Sequence, residues 1–224
     1  MAEYFIDGAN GSDANNGLTV GAPLRTFGLA VNGGSGNNMP DGTIVNLLVG
    51  TTVDLVGKHV ALGSCTIRPY GSGAKPELLW PMDAVSGGEL YGTGAIGTTF
   101  TIDSIVMRKR PRASIPVFGE SIGAFHVGTG KLIVSDCVID GPFLNAVSNA
   151  RGSGSIIRRN EITGALNNGV WFGDNAYVAP SDCEISGNRI IVPDATNDCI
   201  TLHDGLTGGV NNKIIGNYLY SGTE

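Results

Sequence analysis

The sequence predicts an all-β chain wound as a right-handed, single-stranded parallel β-helix with a short N-terminal capping helix. Three observations predict it. Glycine accounts for 35 of 224 residues, yet 42% of the chain is hydrophobic. Ordinary glycine usage is about 7%, so many tight turns must separate short, buried strands; a disordered chain would not carry this apolar fraction. Helical periodicity is scarce: no run keeps apolar residues at i, i+3, i+4 and i+7 among good helix formers, and the best stretch is a short one near Leu24 to Val31. Finally, a six-residue strand pattern recurs along the second half of the chain.

That pattern is an apolar residue, two others, Asn or Cys, one other, then an aliphatic. It reads Val134 to Ile139, Ile157 to Ile162, Ile185 to Ile190 and Ile214 to Leu219. The marker falls at Cys137, Asn160, Asn188 and Asn217, with spacings of 23, 28 and 29 residues. A repeat that keeps its strand pattern while its length varies by a few residues suits a solenoid with loop insertions. One coil of three short strands cannot bury its aliphatic face, whereas stacked coils bury a continuous column. An inward Asn at the bend can bond its counterparts above and below, and Cys137 fills the same position with a small apolar group.

A single domain is expected over 1–224, with residues 1–35 forming a first strand, a loop and the cap, and 36–224 forming coils. Tyr4-Phe5-Ile6 is the first strand, and the stretch from Asp7 to Leu18 is a Gly/Asn/Asp loop leading to Pro23-Leu24-Arg25-Thr26. Strand candidates in the middle are Val45 to Val49, Ala61-Leu62, Cys65 to Ile67, Leu78 to Trp80 and Phe100 to Val106, punctuated by Gly71-Ser72-Gly73 and Gly92-Thr93-Gly94. After each later marker a second strand follows: Ala146 to Ser148, Gly169 to Phe172 and Cys199 to His203. Period-two alternation turns Val147, Val170 and Ile200 inward and stacks Ser148, Trp171 and Thr201 on one outer face. The last coil stops at Ser221 to Glu224 with no polar cap, so the C-terminal end is expected to be covered by further chain, a second copy or a larger assembly.

The opening segment, from Tyr4 through the Gly/Asn/Asp loop to Pro23-x-x-Thr26, resembles that of right-handed parallel β-helix proteins of the pectin-lyase-like superfamily. The repeat carries the resemblance through most of the chain. It implies the fold and the capping helix. For function it implies only a range, because that superfamily holds lyases, glycosidases, phage tailspikes and non-enzymes.

Composition narrows the partners. A net charge of −6 with one short basic run, Arg108-Lys109-Arg110-Pro111-Arg112, argues against nucleic acid and leaves that run as a solvated loop or an anion contact. The sequence holds no apolar run of membrane-spanning length, and its N-terminus lacks the basic and apolar regions of a signal peptide. Cys65, Cys137, Cys183 and Cys199 form no CxxC pair and read as small buried residues rather than zinc ligands. No metal site and no cofactor are expected, with calcium at the Asp-rich turns the one alternative kept open.

Chemistry concentrates in Asp194 to Gly205. This stretch is similar to the Asp-Asp-Cys-Ile segment of polygalacturonase-type glycosidases, and that resemblance makes Asp198 a candidate acid. The family's first acid is replaced by Asn197, which can neither donate nor accept a catalytic proton. An inverting pair needs two carboxylates about 6.5–9.5 Å apart, and Asp174, Asp194 or Asp204 could supply the second. Otherwise Asp198 is a turn residue entering a strand. His203 is aimed outward beside Trp171, an indole that can stack on a sugar ring while Thr201 and Ser148 flank it. A lyase would instead use a basic residue such as Lys131 or Arg158.

The expected function is therefore a glycan-recognising structural appendage, resembling phage tailspike or virion-decoration β-helices, binding a polysaccharide or cell-surface glycan, and placed in a virion or outside the cell. The alternative is the N-terminal part of a polysaccharide-degrading enzyme, either a polygalacturonase-like glycosidase or a uronate lyase.

Overall fold

The computed structural model describes residues 2–28, 38–56, 58–80, 89–109, 122–126, 128–173, 179–193, 198–203 and 209–222. Its strands follow one another in successive coils. The first coil holds β1 (Glu3–Ile6) and β2 (Asn38–Met39), and the second β3 (Thr43–Leu48), β4 (Thr52–Asp54) and β5 (Lys58–Ala61). Next come β6 (Cys65–Tyr70), β7 (Glu77–Trp80) and β8 (Glu89–Gly92), then β9 (Thr99–Asp103), β10 (Val106–Lys109) and β11 (Ile122–His126). The repeat region supplies β12 (Lys131–Ser135), β13 (Val138–Asp140), β14 (Asn145–Asn149), β15 (Ile156–Arg158), β16 (Glu161–Thr163) and β17 (Asn168–Phe172). It ends with β18 (Glu184–Ser186), β19 (Arg189–Val192), β20 (Asp198–Leu202), β21 (Lys213–Ile215) and β22 (Tyr218–Ser221).

Each coil adds one strand to each of three parallel sheets. The first sheet runs β1-β3-β6-β9-β12-β15-β18-β21, the second β4-β7-β10-β13-β16-β19-β22 and the third β2-β5-β8-β11-β14-β17-β20. This is the topology of a three-faced parallel solenoid, and each strand candidate from the sequence overlaps one of its strands, although Ser104 and Ile105 form a corner that divides the candidate Phe100 to Val106 between β9 and β10. The aliphatic columns form as expected: Ile139, Ile162, Ile190 and Leu219 are registered neighbours in the second sheet, and Val134, Ile157, Ile185 and Ile214 in the first.

The corner between the first and second sheets explains the marker. From β9 onward it is always two residues, and the first lies in the left-handed region: Ser104, Asp136, Arg159, Gly187 and Gly216, with φ between 52° and 61°. The second is Ile105, Cys137, Asn160, Asn188 or Asn217. The three asparagines form a ladder. Asn160 Nδ2 donates to Asn188 Oδ1 at 2.9 Å, and Asn188 Nδ2 to Asn217 Oδ1 at 2.9 Å. Each Oδ1 also takes a backbone N–H from the preceding coil, from Cys137, Asn160 and Asn188 in turn. Each Nδ2 further donates to a carbonyl one coil back, those of Val134, Ile157 and Ile185. The buried amides are thereby satisfied. Cys137 closes the ladder with its Sγ 3.2 Å from the Ser135 carbonyl.

Two expectations are corrected. The capping helix expected near Leu24 to Val31 is absent over residues 24–28; residues 29–31 lie outside the described part. There Leu24 bridges Ile6, Phe27 bridges Leu55, and both side chains are fully buried. These apolar residues seal the first coil as irregular strand rather than as a helix face. The loop before them is held by its own acids: Asp7 Oδ1 accepts the Ala9 and Asn10 N–H groups, and Asp13 Oδ1 accepts those of Arg25 and Thr26. The basic run also departs from a solvated loop. Arg108 sits on β10 between Glu77 at 3.0 Å and Asp140 at 3.4 Å. Lys109 is buried, with its ammonium 6.0 Å from the Phe143 ring centre. Arg110 to Arg112 lie outside the described residues.

All four cysteines are buried free thiols. Burial raises each thiol pKa, to about 12 for Cys65 and Cys137.

Candidate functional site

The third sheet positions the site. Across β14, β17 and β20 the register sets Ser148 beside Trp171 and Trp171 beside Thr201, with Val147, Val170 and Ile200 as the adjoining row. Val170 and Phe172 both belong to the buried core, so the intervening Trp171 points outward, where its side chain is half-buried. Gly169 lies within β17, where no side chain fits. A Cβ there would stand 2.3 Å from Ile190 Cγ2 and 2.7 Å from the Cys199 carbonyl oxygen, so the backbone approaches the core too closely for any side chain.

Along the start of these strands runs a polar row that the sequence reading missed. Asn145 Oδ1 accepts from Asn168 Nδ2 at 3.0 Å and from Asn167 Nδ2 at 3.3 Å. Thr201 Oγ1 lies 2.7 Å from Asn168 Oδ1 and 3.0 Å from Asp198 Oδ2, and its one proton serves a single acceptor at a time. Asn145 and Asn168 are buried, while Asp198 is exposed. The signal was legible in principle: Asn145 and Asn168 stand at the same offset, two residues before Val147 and Val170.

Of the predicted residues, the structure brings Trp171, Thr201, His203 and Asp198 onto one edge. His203 follows β20, and its ring stands edge-on to the Trp171 indole with centroids 6.4 Å apart. The His203 N–H donates to the Phe172 carbonyl at 2.7 Å, and His203 Nδ1 is buried without a hydrogen-bond partner among the described residues. A cavity of about 110 Å³ opens beside it, lined by Phe172, Ala179, Pro180, Leu202, His203, Gly209 and Asn212. Ser148 is a correction. It occupies the expected row but is fully buried, with its hydroxyl unpartnered among the described residues, because strand alternation fixes a direction and says nothing of what covers it. Asp174, Asp194 and Asp204 lie outside the described residues. Among the described residues no cluster of three His, Cys, Asp or Glu side chains is placed to hold a metal ion, and no helix is long and apolar enough to cross a membrane.

No protein-family model and no curated protein matches the sequence. Among solved structures the chain is similar to the GH136 lacto-N-biosidase from Eubacterium ramulus. The selenomethionine derivative aligns with a TM-score of 0.47 at 18% identity over 99% of this chain, and the native protein with 0.44 at 17% over 97%. This chain spans only 42% and 41% of those chains. At that similarity neither structure bears on the chemistry of this site.

Proposed function

We propose that this chain is a glycan-recognising structural β-helix, an appendage of the kind found in phage tailspikes and virion decorations, whose sugar contact is the edge formed by Trp171, Thr201, Asp198 and His203. The observation that carries the reading is Trp171. An outward, half-buried indole stands on a flat parallel face with hydroxyl, carboxylate and imidazole groups on the neighbouring strand. Sugar rings present an apolar face that stacks on such an indole and hydroxyls that bond such polar groups. The right-handed winding belongs to this reading and rests on the general preference of parallel crossovers for that hand. Within it, the exposed apolar side chains Leu202, Ile214 and Leu219 are contact surface for further chain, a second copy or a larger assembly.

The test is affinity electrophoresis against a panel of neutral and acidic polysaccharides. Trp171→Ala, checked by circular dichroism and melting temperature, is expected to retain its fold and lose binding by about ten-fold, the scale of a stacked aromatic contact. Unchanged mobility in the variant sinks the reading.

A polysaccharide-degrading enzyme is the second reading, favoured by the exposed Asp198 carboxylate, which shares the edge strand with Thr201 and bonds its hydroxyl. New reducing ends or unsaturated uronates on incubation, abolished by Asp198→Asn, would establish it in place of the first.

A further inference from the structure

The corner between the third and first sheets carries a second feature, on the far side of β14 and β17 from the polar Asn row. A cavity of about 470 Å³ opens there. Turns from four successive coils line it: Ile96 before β9, Thr129 and Lys131 at the start of β12, Arg151 and Ser153 after β14, and Ala179 before β18. It therefore runs along the solenoid axis. Strands stack about 4.8 Å apart, so three intervals give a length of about 14 Å.

Its chemistry is unlike the rest of the molecule. The chain carries a net charge of −6, yet the described lining holds two cations and no carboxylate. Lys131 is exposed, and no ion pair holds it among the described residues. Thr129 and Ser153 add hydroxyls, and Ile96, 85% exposed, adds an apolar rim. Ala179 lines both this cavity and the smaller one beside His203. The two openings are thus adjacent along one corner, and the second reaches His203, whose ring stands edge-on to Trp171.

We infer that this corner groove binds an acidic polysaccharide, with Lys131 and Arg151 taking uronate carboxylates while Ile96 and Ala179 meet sugar faces. The inference rests on the glycan reading above and names the class of glycan. Cations meeting carboxylates across an apolar floor give charge-assisted bonds where water is partly excluded. A nucleic acid fits less well. Two cations in an acidic protein cannot offset repulsion along a phosphate chain, and no described aromatic residue lines the groove for base stacking.

The experiment titrates the intact chain at low ionic strength with polygalacturonate, alginate, dextran, dextran sulfate and a single-stranded oligonucleotide. Uronate polymers are expected to bind at least about ten-fold more tightly than dextran, the scale of one charge-assisted contact. Lys131→Ala should reduce that preference, and Lys131→Ala with Arg151→Gln should bring it to within about two-fold, with dextran affinity unchanged. Because Arg151 is partly buried, Lys131→Glu serves as the variant least able to disturb the fold, and should invert the preference. The inference is overturned if uronates bind no better than dextran, if the double variant keeps the preference, or if dextran sulfate and the oligonucleotide match the uronates. Trp171→Ala separates the two ideas. Loss of dextran and uronate binding alike supports the sugar-stacking edge whatever the charge variants do. Loss only in the charge variants leaves the groove standing and removes the Trp171 reading.

Discussion

An inner coil and the last described coil set aliphatic side chains of equal size at the same registered positions, yet only one of them has a core. Ile185 and Ile190 are 2% and 0% exposed, while Ile214 and Leu219, directly beside them in the stack, are 47% and 45% exposed. Nothing in the residue types separates these pairs. The difference is whether a neighbour stands on both sides. Burial here belongs to the stack rather than to the coil, as expected of a quasi-one-dimensional fold.

The sharpest way to break the comparison is to truncate one column at both places. Ile162→Ala, in the middle of the second sheet, should cost about 3–4 kcal/mol through lost transfer energy and a residual cavity, while Leu219→Ala should cost about 1 kcal/mol or less. Urea midpoints followed by circular dichroism and by tryptophan fluorescence would show it, and equal costs would refute the account. The Asn ladder gives the second test. Asn188→Ala strips bonds from Asn160, Asn217 and the Ile157 carbonyl and should cost about 2–3 kcal/mol. Asn217→Ala, bonded on one side only, should cost about half of that.

A third test uses pH. The Cys65 and Cys137 thiols are pushed up to about 12 by burial, whereas an unfolded thiol ionises near pH 8.5. Between those values the unfolded chain holds fewer protons, so stability falls as pH rises, by about 1.4 kcal/mol per pH unit for each thiol. The loss should set in above about pH 9, and Cys137→Ala should make the slope shallower. The smallest effect is expected from Cys137→Asn, which extends the ladder by one coil. The Asn160 Oδ1 bond to the residue 137 N–H is kept, and the new amide lies where Cys137 Sγ now faces the Ile102 carbonyl at 3.7 Å. Stability should change by no more than about 1 kcal/mol in urea unfolding.

These contrasts also show what the sequence could reveal. The columns through Ile139, Ile162, Ile190 and Leu219 were legible because the two-residue corner repeats without variation, so pattern and register coincide. The first coil was not. Leu24 and Phe27 have helix-like spacing, but pairing with Ile6 and Leu55 recruits them as bridging, buried side chains, a tertiary demand that local periodicity does not encode. The edge of Trp171, Thr201 and His203 followed from strand alternation, whereas the burial of Ser148 did not, since cover comes from elsewhere in the chain. The Lys131–Arg151 groove was invisible for a different reason. It is built from turns of four coils at unequal spacing, and unequal spacing leaves no motif.

The unvarying corner has a consequence for how this molecule could be lengthened or decorated. Between first-sheet and second-sheet strands there are two residues in each of five successive coils, whereas the stretch from third-sheet to first-sheet strand grows from four residues before β12 to eleven before β18. One edge thus works as a ruler and another as a workbench. A foreign peptide spliced after Ser186 would have to break the asparagine spine and shear the stack, while one spliced after the exposed Ser153 would add an outward tongue and leave every rung of that spine in place. Novelty in such a protein is gained by lengthening a margin, never by altering the binding of the spine.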